Sequence, residues 1–125
     1  MRTKQSQGQR APKARRVVVQ GKRMVLMAEE AYAELLRCAD LWEPELPAPD
    51  ANGNYPALEA LAIVQARDIL RARRKLGLSQ AELARQAGIR PETLNRIEQG
   101  KNRPSVPTIA KIDRALKKAE RRAER

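Results

Sequence analysis

The sequence predicts a mainly α protein: a bundle of four to five helices, preceded by a small N-terminal β-hairpin plus helix unit. Three observations lead there. Residues 78–103 hold a complete set of start and stop signals for two short helices joined by a tight turn. Apolar residues recur at helical spacing before and after that window. Near the N-terminus, by contrast, two β-branched or apolar runs flank a glycine.

Taking the elements in order, residues 1–15 are polar and basic, rich in Gln, Lys and Arg, and can bury almost nothing, so a disordered tail is expected there. Its alternatives are a solubilising tail and an arm that holds phosphate. Residues 16–27 read as a hairpin around Gln20-Gly21-Lys22-Arg23, with both faces of each run apolar. A two-stranded hairpin is marginal by itself. The following helix, 28–42, is expected to cover one face, and a second copy of the chain the other. That helix repeats Ala28, Ala31, Tyr32, Leu35, Ala39 and Trp42 at helical spacing, with Glu29, Glu30, Glu34 and Arg37 mostly opposite. Pro44, Pro47, Pro49 and Pro56 mark residues 43–56 as a linker. It separates the unit at 16–42 from a helical domain at 57–122, after which 123–125 are expected to fray.

The helical domain opens with a long pattern from Ala57 to Leu76, apolar at Leu58, Leu61, Ala62, Ala66, Ile69, Leu70 and Leu76, and ends at Gly77. Ser79 with Glu82 three residues on is a capping box. Gly88 stands where the first short helix, about 79–87, must stop. Pro91 suits the first position of the second, about 91–99, which Gly100 closes. Leu83, Ala84, Ala87, Ile89, Leu94 and Ile97 fall on the inward faces and are read as core. A final helix is expected from Thr108 to Arg122, with Ile109, Ile112, Ala115, Leu116 and Ala119 as its apolar face.

Charge narrows the function. The 125 residues carry a net charge of +11, which favours a polyanionic partner, nucleic acid before membrane. Eight basic residues and no acid lie in 1–23, eight acids and one arginine in 24–66, and seventeen basic residues against seven acids in 67–125. The cationic surplus thus coincides with the tail and the two short helices. There is no histidine and one cysteine, Cys38, so histidine chemistry, an internal disulfide and a zinc site are excluded. Cys38 reads as a small apolar side chain. No enzymatic activity, cofactor or metal is expected. No run of about 18 apolar residues spans a membrane, and a cytoplasmic, nucleoid-associated location is the default expectation.

The stretch Gly-Leu-Ser-Gln-Ala-Glu-Leu-Ala…Ala-Gly-Ile…Thr-Leu-Asn-Arg-Ile-Glu-Gln-Gly-Lys…Pro-Ser, over about residues 66–119, resembles the helix-turn-helix domain of phage repressors and Xre-type regulators. The resemblance implies a lambda-repressor-like bundle whose second motif helix enters the major groove, with two domains on a near-palindromic double-stranded operator. It implies base-reading slots at Arg90, Pro91, Glu92, Asn95 and Arg96, and phosphate contacts from Gln80, Thr93, Lys101 and Arg103. Ser79, Glu82, Gly88, Arg73 and Glu98 take structural roles, the last two matching a pair that bridges neighbouring helices in some relatives. Side-chain chemistry independently suits Arg96 to guanine, Asn95 to adenine and Glu92 to cytosine N4. Arg90 replaces the usual small polar cap, and Pro91 stands where many relatives have an amide or hydroxyl. Residues 20–36, Gln-Gly-Lys-Arg-Met-Val-Leu-Met then Ala-Glu-Glu-Ala-Tyr-Ala-Glu-Leu-Leu, are similar to the opening of Phd-like and some Xre antitoxins. That likeness implies a homodimer and the antitoxin of a type II toxin–antitoxin pair, with a small basic ribonuclease-type toxin as partner.

Overall fold

The computed structural model describes residues 13–125. Two strands and five helices follow one another: β1 (Ala14–Val19), β2 (Lys22–Met27), α1 (Glu29–Cys38), α2 (Ala57–Lys75), α3 (Gln80–Ala87), α4 (Pro91–Glu98) and α5 (Val106–Ala123). The architecture is mainly α with a small N-terminal hairpin, as the sequence predicts. The chain divides into two units between Trp42 and Glu43. The tail expected over 1–15 lies largely outside the described residues, and its last two residues belong to β1.

In the first unit β1 and β2 pair antiparallel, from Ala14 opposite Met27 to Val19 opposite Lys22. Only Gln20 and Gly21 form the turn, both with positive φ, 49° and 78°. That backbone matches the twist of the flanking strands, so Lys22 and Arg23 are strand residues rather than loop. Successive residues alternate between faces. Ala14, Arg16, Val18, Arg23, Val25 and Met27 therefore share one face, and Arg15, Val17, Val19, Lys22, Met24 and Leu26 the other. The expected burial of one face beneath α1 is not found: no residue from 13 to 42 is buried. The helix is also shorter than its apolar spacing suggests. Asp40 adopts a left-handed φ of 57°, and the N–H groups of Leu41 and Trp42 turn back to the carbonyl of Leu36. The chain leaves the helix at Cys38, and Trp42 comes under the Arg37 guanidinium, 5.1 Å from the ring centre.

The second unit is built on one core of Ile69, Leu83, Ala84, Ala87, Leu94, Ile97, Ile112 and Ala115, with Leu78, Ile89, Ile109 and Leu116 packed against it. The motif residues read as core are all here, Ile89 at its margin. The buried stripe of α2 begins only at Ala62 and continues through Ala66, Ile69, Leu70 and Arg73. Leu58 and Leu61, expected on that face, are exposed. At 1.5 Å per residue an eight-residue α4 is about 12 Å long and α2 about 28 Å, so α4 can cover only part of its neighbour. α5 starts two residues before the expected Thr108, because Ser105 caps it through the Thr108 N–H and Pro107 is tolerated in a first turn.

Residues 43–56 contain no helix or strand, yet the start of the stretch is tied down. Arg67 Nε donates to the Pro44 carbonyl at 2.9 Å, and the Arg71 guanidinium grips both Glu43 carboxylate oxygens. That contact holds the Glu43 carboxyl below its ordinary range, chiefly through the hydrogen bond from Arg71. Further along, Asp50 accepts from the N–H groups of Asn52 and Asn54 in a local side-chain turn.

Candidate DNA interface

Local chemistry fixes α3 and α4. Ser79 Oγ accepts from the Glu82 N–H while the Glu82 carboxylate accepts from the Ser79 N–H, so both halves of the capping box form. The backbone N–H bond keeps the Glu82 carboxyl below its ordinary range. Gly88 ends α3 with φ 73°, a left-handed conformation that side chains with a Cβ resist. Arg90 then occupies the N-cap of α4 without a side-chain capping bond, and Pro91 opens the helix. A Cβ on Gly100, beyond its far end, would sit 2.5 Å from Ile63 Cδ1. That atom is the tip of a flexible side chain, and it is the left-handed φ of 74° that favours glycine there.

α4 divides sharply between its two sides. Leu94, Ile97 and Glu98 are buried, while Arg90, Pro91, Glu92, Thr93, Asn95 and Arg96 are all exposed. Arg90, Glu92, Thr93 and Arg96 line a shallow open depression of about 610 Å³. On the other side of Thr93 and Arg96 lies a smaller groove of about 220 Å³, shared with Asn102, Arg103, Pro104, Ser105 and Thr108. Arg96 thus borders both. Lys101 is exposed but lines neither. Asn102, Ser105 and Thr108 are members of this surface that the sequence reading passed over. The Ser-x-x-Thr spacing at a helix start was the available signal.

Beneath the exposed face lies a buried ion pair. Arg73 Nε and Nη2 donate to the two oxygens of Glu98 at 2.8 and 2.9 Å, and Arg73 Nη1 donates to the Leu78 carbonyl at 2.9 Å. Arg73 is 1% exposed and Glu98 3%. The pair ties the end of α2 to the end of α4 and so sets how α4 presents its outer side chains. Gln80 joins the same cluster, its Nε2 lying 2.8 Å from Glu98 Oε1 and 3.3 Å from Asn95 Oδ1.

Residues 69–121 match the helix-turn-helix family model. This segment is a helix-turn-helix domain. It is of the Xre and phage-repressor type, a family of DNA-binding regulatory domains. No curated protein matches the chain. The helix-turn-helix match spans the end of α2, the two motif helices and most of α5, and it leaves the hairpin unit outside. Among the described residues no helix is long and apolar enough to cross a membrane.

Proposed function

We infer that the chain is a homodimeric, sequence-specific autorepressor that reads the major groove of its own operator with α4. One observation carries this reading: a short helix, anchored on its inner side by Leu94, Ile97 and the Arg73–Glu98 pair, leaves Arg90, Pro91, Glu92, Asn95 and Arg96 exposed. An α-helix fits the major groove, where each base pair shows a distinct pattern of donors and acceptors. Arg96 supplies a fork for guanine, Asn95 an amide for adenine, Glu92 an acceptor for cytosine N4, and Pro91 an apolar contact for a thymine methyl. Thr93, Lys101 and Arg103 hold phosphates and set affinity without reading sequence.

Dimerisation is supported by the first unit. Each face of the hairpin carries four apolar side chains and two cations, and none of its residues is buried. The strands are basic through Arg15, Arg16, Lys22 and Arg23, whereas α1 opens with Glu29 and Glu30. None of these six has an ion-pair partner among the described residues. In a two-fold pair the basic strands of one copy meet the acidic helix of the other, twice over. Two domains so joined suit half-sites about 34–36 Å apart, or a multiple of one helical turn. A second reading is an antitoxin in which a small basic toxin meets the acidic segment 24–66, where eight acids stand against one arginine. Co-expression with the neighbouring open reading frame separates the two. A stable 1:1 complex that covers this segment favours the antitoxin, and a homodimer that ignores the neighbour removes it.

Binding to the chain's own upstream DNA tests the main reading. Arg96→Ala should relax preference at one base pair by about 1–3 kcal/mol. Lys101→Ala should weaken every sequence alike and lower the salt slope by about one. Equal losses on operator and random DNA for both variants would refute the division of roles.

A further inference from the structure

Two side-chain amides at the interface have their orientation dictated from inside the protein. Both oxygens of Glu98 receive N–H bonds from Arg73, and a carboxylate so held offers only acceptors. The group of Gln80 that faces Glu98 Oε1 at 2.8 Å is therefore its NH2; a carbonyl oxygen turned there would meet a lone pair. Fixing that end fixes the next. The remaining N–H of Gln80 faces Asn95, where only Oδ1 can receive it, at 3.3 Å. Asn95 in turn is left with Nδ2 as its donor and the second lone pair of Oδ1 as its acceptor.

The Gln80 side chain then has no N–H left for a phosphate, whose oxygens only accept. We propose that Gln80 is a positioning residue rather than a phosphate clamp: the relay Arg73–Glu98–Gln80–Asn95 sets the donor–acceptor order that Asn95 shows to the groove. An asparagine with both groups outward pairs with the N7 acceptor and N6 donor of adenine. A freely flipping amide accepts adenine approached in either sense, whereas one held in a single order favours adenine on one strand of that base pair. The inference rests on the major-groove reading above and deepens it by naming what sets the specificity of one contact.

The test uses the full chain and the base pair at which Asn95→Ala relaxes preference, compared as A·T, T·A, G·C and C·G. Gln80→Met keeps the length of the side chain and removes both donors. It should cost about ten-fold in discrimination at that base pair alone, leave binding to random DNA unchanged, and add nothing to Asn95→Ala in the double variant. Gln80→Lys restores N–H donors toward Glu98 and Asn95. It should regain the discrimination while raising affinity for all DNA, and it decides the matter if Gln80→Met does not fold. A Gln80→Met loss that is equal on all sequences and additive with Asn95→Ala would show a phosphate clamp and overturn the inference, as would no change at all. Failure of the parent reading looks different: the unaltered chain would then bind operator and random DNA equally, and the inference would fall with it.

Discussion

Residues 13–42 and residues 43–125 are both rich in aliphatic side chains, yet they treat them in opposite ways. The strands hold Val17, Val18, Val19, Met24, Val25, Leu26 and Met27, and bury none of them. The helical domain buries even an arginine and a glutamate. Composition does not explain the contrast, because burial needs an opposing layer. In the second unit α3 packs against both α4 and α5 while α2 packs against α4, so each apolar stripe meets another. A two-stranded sheet has two faces and too little else to set against them. The first unit therefore leaves both hairpin faces exposed, and the second is a finished fold that holds its outer side chains still.

The most severe way to break the contrast is inside the finished fold. Arg73→Met leaves Glu98 buried without its partner and should cost about 3–5 kcal/mol in urea unfolding followed by helical circular dichroism. Replacing both residues by methionine should recover most of that loss, since the desolvated charge goes with them. A single variant of near-parental stability would show that the pair does not organise the domain.

The first unit should respond in association rather than in folding. Val18→Asp with Val25→Asp puts two charges on one hairpin face and should weaken the proposed dimer by about 100-fold, some 2–3 kcal/mol, measured by sedimentation. Unfolding of the helical domain should stay within about 0.5 kcal/mol of the parent. A coupled loss of both would mean that the two units are not energetically separate. Milder again is Ser79→Ala, which removes the cap of α3 and should cost about 1 kcal/mol in unfolding, with no effect on sedimentation.

Acid titration should give the smallest effect. Because Arg71 depresses the folded-state pKa of Glu43, this contact stabilises fully above the ordinary carboxylate range and is lost as pH falls through the depressed value. Glu43→Gln should melt slightly below the parent at neutral pH and match it in strong acid. A gap that persists in acid would assign the loss to packing instead of charge.

The sequence by itself determined where the motif helices begin and end, because their punctuation is local. The Ser79–Glu82 box, Gly88 and Pro91 act within one turn of their own positions, so no distant contact is needed to read them. The outward set on α4 follows from the same spacing, once Leu94 and Ile97 define the inner side. Local signals failed where a neighbour decided. Leu58 and Leu61 continue a good apolar stripe, but no layer reaches them. The spacing that ran on to Trp42 was cut short at Cys38 by the backbone turn at Asp40. Spacing does not set Arg73 apart in the run Arg71, Arg73, Arg74, Lys75; the family resemblance pairs it with Glu98, and the approach of Glu98, 25 residues away, makes it a core residue. The orientation of Gln80 and Asn95 follows from that same approach. Propensity and capping depend on residues a few positions apart, whereas the burial of a charge and the order of an amide depend on what the fold brings beside them.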